Sequence, residues 1–106
     1  MKAVSPFEVF AQSFPEITNA YRALKSAYGN AGPLDEKTKQ LIQVAIMVAI
    51  GSEGGTRDHV GLALDAGATP DEVRQAVLMV LGPAGMSRTS VGIFWANDVI
   101  KARGLA

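Results

Sequence analysis

His59 is the sole histidine of the chain. It is also the one side chain whose ordinary pKa lies near neutrality, so any proton-transfer chemistry starts there. It falls in the first half of an expected helix, with Leu62, Ala63 and Ala66 following at spacings of three, four and seven. A lone histidine bordering an apolar face is most often a hydrogen-bonded structural residue. Glu53, Asp58 and His59 together form a poor metal cluster, because one histidine with carboxylates at unfavourable helical angles does not match zinc spacing. Glu53 and Asp58 read instead as solvated charges near a helix start, where the dipole favours acids. The run Gly51-Ser52-Glu53-Gly54-Gly55 is glycine-rich. It follows a helix rather than a strand and lacks the Lys-Ser/Thr of a phosphate loop, so no nucleotide site is expected. Phe94 and Trp95 read as core or interface, and Met47, Met79 and Met86 as packing material.

The elements that must position these residues are helical. Ser5-Pro6-Phe7-Glu8 has the form of a capping box, and Thr69-Pro70-Asp71-Glu72 repeats it. Pro15 is expected to end or kink the first helix near Phe14. Further helices are expected over residues 16–28, 36–50, after Gly55 to residue 66, 70–81 and 87–103, with Gly67 and Gly104 as stops. Residues 29–33 and 82–85 read as turns. The third helix is apolar on nearly all sides beyond Leu41, which marks it as central and surrounded by protein. The fold class is therefore all-α, about six helices, in a single domain over residues 1–106.

The composition excludes several functions. The chain has 106 residues, no cysteine and a formal charge of zero. It can form no disulfide framework, thiolate metal site or thiol redox centre by itself. The balanced charge argues against nucleic acid or an anionic membrane as partner. An apolar fraction of 48% is high for so small a domain, and predicts that copies bury surface against one another in a homo-oligomer. The longest apolar run, residues 44–50, is too short to span a bilayer. Met1-Lys2 begins no leader pattern, so a cytoplasmic protein is the expectation.

The order of motifs is similar to a known family. Leu34-Asp35-Glu36-Lys37-Thr38-Lys39-Gln40-Leu41-Ile42 precedes an apolar helix. After it comes His59-Val60-Gly61-Leu62-Ala63-Leu64-Asp65-Ala66-Gly67-Ala68-Thr69-Pro70-Asp71-Glu72-Val73. Together these resemble the carboxymuconolactone decarboxylase family, which includes the alkylhydroperoxidase D-like proteins. The resemblance implies an alkylhydroperoxidase D-like helical fold assembled as a trimer or hexamer. Peroxidase members of that family carry Glu-x11-Cys-x2-Cys-x3-His, and the same spacing here reads Gln40, Ser52, Gly55, His59. Without thiolates, disulfide exchange is unavailable, and Gln40 cannot accept a proton as Glu does.

The family's other chemistry is decarboxylation of a carboxylated lactone or keto acid without metal or organic cofactor. In that reading His59 supplies the proton, and Ser52 or the backbone N–H groups of residues 52–55 donate hydrogen bonds. Gly54 and Gly55 would let a small-molecule ligand approach the backbone, and Arg57 or Arg88 would hold its carboxylate. One departure is that Gly55 stands where the decarboxylase pattern carries an acid, four residues before the histidine. The alternative is a non-catalytic oligomeric helical module binding a small ligand or a protein partner. His59 would then be structural, bonded to Gln40 or to a backbone carbonyl.

Overall fold

The structure, a computed structural model, describes residues 4–106. Met1 and Lys2, read above for a leader pattern, lie outside the described residues. The described residues form helices and no strands, as the sequence requires. They divide into two compact units, up to Pro33 and from Leu34 onward.

The first unit is a helical pair, α1 (Pro6–Ser13) and α2 (Pro15–Gly29). Ser5 Oγ accepts from the Glu8 N–H at 3.1 Å, closing the start of α1. Phe14 leaves the helical region at φ −135°, as a residue before proline must. Pro15 then opens α2, where its missing N–H costs nothing. The Phe7 and Tyr21 rings lie 6.2 Å apart, and the Arg22 guanidinium sits 5.7 Å above Phe7. Thr18 is the one buried residue of the pair, and Ile17, Tyr21, Leu24 and Tyr28 form an exposed apolar row.

The second unit contains α3 (Glu36–Ala49), α4 (Glu53–Asp65), α5 (Pro70–Leu78), α6 (Leu81–Ala84) and α7 (Met86–Ala102). The short α6 is a single helical turn in the stretch read as a loop, so α5 ends three residues earlier than its apolar pattern implied. Asp35, Ser52 and Thr69 each cap a helix through a side-chain oxygen on the backbone N–H three residues on. Thr69 and Glu72 complete the reciprocal box at 3.1 and 2.9 Å. The Thr69 N–H, and then Lys37, hold the Glu72 carboxyl below its ordinary pKa. The Lys37 contact also ties α3 to α5 at 3.1 Å.

The centre is built from small side chains. Val44 and Val48 of α3 are fully buried against Val60, Ala63, Val73, Val77, Ala96 and Ile100. Valine and alanine fill little volume, so the helices approach closely and a glycine is needed at the tightest point. That glycine is Gly92 of α7. A Cβ there would lie 2.5 Å from Val48 Cγ1 and 3.1 Å from Val77 Cγ1. The position of α3 as the central helix holds, since it packs on α4, α5 and α7. Its cover within one chain is nevertheless one-sided. Ile42, Ile46 and Ile50, four residues apart in sequence, are 43%, 45% and 64% exposed and form an outward apolar row.

Gly92→Ala should lower unfolding stability by about 1–3 kcal/mol in urea titration, because its methyl has no space between two buried valines. Gly54→Ala, where nothing lies within 4 Å, should be neutral or stabilising by up to about 1 kcal/mol. Equal stability of Gly92→Ala and the parent would contradict this packing.

Candidate functional site

The turn between α3 and α4 creates the site. Gly51 adopts φ +76°, a left-handed conformation that a side chain would strain. That conformation lets the Gly51 N–H donate to the Val48 carbonyl at 3.0 Å and the Ser52 N–H to the Met47 carbonyl at 2.9 Å. The chain reverses in two residues, and α4 runs back along α3. His59 is thereby brought opposite Gln40, nineteen residues away in sequence.

His59 is buried, 8% exposed, and its Nδ1 lies 2.7 Å from Gln40 Oε1. The orientation of the Gln40 amide follows from its other end. Gln40 Nε2 donates to Glu36 Oε1 at 2.9 Å, and a carboxylate can only accept. The amide nitrogen must face Glu36, so the amide oxygen faces the ring and accepts from Nδ1–H. Neutral His59 therefore carries its proton on Nδ1 and its lone pair on Nε2. Glu36 is held charged, its carboxyl lowered in pKa by the Gln40 hydrogen bond and then by Lys39, 3.2 Å away. Glu36 was missed in the sequence reading. Its spacing of four from Gln40 on a helix is the signal that points to it.

Ser52, the N-cap of α4, and Gly55 lie two turns and one turn before His59 respectively, and are occupied with each other. Ser52 Oγ accepts from the Gly55 N–H at 3.1 Å, which leaves the hydroxyl proton for another acceptor. Of the four backbone N–H groups proposed as donors, those of Ser52 and Gly55 are engaged within the chain, leaving Glu53 and Gly54. The space at Gly55 is also taken. A Cβ there would collide with Met47 Sδ and lie 2.8 Å from Ser52 Oγ, whereas Gly54 is open. Met47 thus places its own sulfur where the family spacing sets the second thiol.

The two candidate arginines differ. Arg57 bonds Glu53 at 2.9 Å and Asp98 at 3.0 Å, which ties α4 to α7 and raises the Arg57 pKa further, Asp98 contributing most. Its fork is already matched by two carboxylates. Among the described residues Arg88 bears no such pair. It lies over Gly51, beside an open cleft of about 240 Å³ lined by Val48, Gly51, Ser87, Val91 and Trp95 as well as Arg88 itself. His59 does not line that cleft.

The sequence model of the carboxymuconolactone decarboxylase family matches residues 15–98. Among curated proteins the chain is similar to 4-carboxymuconolactone decarboxylase of Acinetobacter baylyi. The two are 29% identical over 73 residues, covering 69% of this chain and 54% of that protein. An uncharacterised protein of Methanocaldococcus jannaschii is 28% identical over 81 residues, 76% of each chain. The chain thus spans about half the length of the Acinetobacter relative. No solved structure matches it.

Gln40→Leu removes the acceptor of a buried N–H and should cost about 1–3 kcal/mol of stability in urea unfolding. Nitrogen-15 NMR of the parent should find neutral His59 protonated on Nδ1. A ring protonated on Nε2 would refute the orientation assigned to Gln40.

Proposed function

The chain belongs to the carboxymuconolactone decarboxylase family, and we propose that it is a cofactor-independent lyase with His59 as proton donor. Its substrate would be a small carboxylated lactone or keto acid. The observation that supports this reading is the hydrogen-bonded series from Glu36 through Gln40 to His59, which fixes the proton of the neutral ring on Nδ1 and assigns proton transfer to Nε2. The curated relative named as a decarboxylase supports the reaction class. Thiol peroxidase chemistry is disfavoured because the chain contains no cysteine.

The chemistry asks little of the protein. The bond between substrate carbon and carboxylate breaks, carbon dioxide leaves, and the bonding pair moves into the conjugated carbonyl to give an enolate. The Ser52 hydroxyl, its oxygen already fixed by the Gly55 N–H, donates to the enolate oxygen. Imidazolium Nε2 then protonates the carbon, and solvent restores that proton. Nδ1–H stays on Gln40 throughout, because an amide oxygen does not take up the proton as a carboxylate would.

A second reading, a non-catalytic module binding a small ligand or partner, is favoured by the burial of His59 against Gln40, the partner expected of a structural histidine, and by the Met47 thioether filling the space at Gly55. The two readings separate on one variant. His59→Gln should reduce turnover of a carboxylated muconolactone or keto acid at least about a hundredfold, read as carbon dioxide release. Parental turnover in that variant would end the lyase reading.

We further propose a homo-oligomer, trimer or hexamer, in which the Ile42, Ile46 and Ile50 row and Phe94 are covered by other copies. Their exposure in a single chain, 64% for Ile50 and for Phe94, supports this. Sedimentation at micromolar concentration should show the oligomer, and Ile46→Glu should shift it towards monomer. A monomeric parent protein would contradict the proposal.

A further inference from the structure

We propose that the cleft between the α3–α4 turn and α7 binds a small, planar, apolar monocarboxylate, anchored by Arg88 and walled by Trp95. This site is separate from His59, which does not line it, and rests on the lyase reading only for the expectation of a carboxylated ligand.

Arg88 stands apart from the other arginines of its unit. Arg57, Arg74 and Arg103 each pair with a carboxylate, of Glu53 and Asp98, of Asp71 and of Asp65 respectively. Among the described residues Arg88 makes no hydrogen bond or ion pair. Its guanidinium lies against the backbone of Gly51, in space that any side chain at that position would occupy. Gly51 is required for its positive φ, and its lack of a side chain also gives the guanidinium its seat. Two carbonyls of the turn, those of Met47 and Val48, are already bonded by the N–H groups of Ser52 and Gly51. The donors of Arg88 therefore remain for a ligand.

The cleft's other walls select the rest of the ligand. Val48, Val91 and Trp95 are apolar, and Ser87 beside Arg88 supplies one hydroxyl. A planar fork at one edge and apolar walls elsewhere match a carboxylate on a flat hydrocarbon body. A volume of about 240 Å³ lies below that of pockets for drug-sized ligands, which sets the ligand near the size of one ring. A phosphate would satisfy the arginine but would leave the apolar walls exposed.

Trp95 is the only tryptophan of the chain, so its fluorescence reports the cleft directly. The full chain is titrated with benzoate, with benzamide as its uncharged counterpart, and with inorganic phosphate. Benzoate should give a saturable change with a Kd of about 1 mM or tighter. Benzamide and phosphate should each bind at least about tenfold more weakly, the loss expected when a charge-assisted hydrogen bond or the apolar contact is removed. Arg88→Gln should weaken benzoate at least about tenfold with its urea unfolding curve unchanged, since the side chain is exposed. Arg57→Gln should bind as the parent does. Equal affinity for benzoate and benzamide, equal affinity for phosphate, or parental binding by Arg88→Gln would each overturn the proposal. Because His59→Gln is read by turnover and Arg88→Gln by Trp95, failure of this site and failure of the lyase reading are distinguishable.

Discussion

The two-residue reversal at Gly51 and Ser52 is the constraint on which the second unit depends. Gly51 closes α3 by taking a backbone conformation open to glycine, and Ser52 opens α4 by capping Gly55. Because no loop intervenes, the register between α3 and α4 is fixed to within a residue. That register sets Gln40 against His59, Met47 against Gly55 and the floor of the cleft beneath Arg88. A longer loop would let α4 slide by a turn, about 5.4 Å, and separate all three pairs. The valine-rich centre depends on the same closeness, since side chains as short as Val44 and Val48 reach their neighbours only across tightly packed helices.

Much of this architecture was legible in the sequence because it is written in local chemistry. Ser5 and Thr69 announce helix starts through side-chain oxygens, and Pro15, Gly67 and Gly104 announce stops, whereas the Ser52 cap was hidden in a glycine-rich run and α4 starts three residues before its expected beginning after Gly55. Such signals act within four residues and need no tertiary context. The Leu81–Ala84 turn was not legible, because Gly82 and Pro83 read equally as a loop and as a short helical turn. The outward row on α3 was hidden for a different reason. A helix apolar on most sides demands cover, but the pattern does not say whether the cover comes from the same chain.

The candidate site divides in the same way. The family spacing singled out Gln40, Ser52, Gly55 and His59, and all four sit on the two helices joined by the reversal. What spacing could not give is which partners each group already has. Arg57 and Arg88 look alike in sequence, yet one is held between two carboxylates and the other lies over a glycine with no carboxylate beside it. Glu36 entered only through geometry, as the group that orients the Gln40 amide and so chooses the proton-bearing nitrogen of His59. The role of a histidine here is set by a residue that never touches it.

The thioether of Met47 also limits where this sequence can travel. A cysteine placed at residue 55 alone would drive its Cβ into that sulfur, and one placed at 52 alone would replace the oxygen that caps α4. A dithiol at residues 52 and 55 would therefore cost the cap of α4 and a shift of the Met47 side chain. The room beside residue 55 is thus already filled from α3, so what a side chain there could do depends on how far the Met47 thioether moves aside.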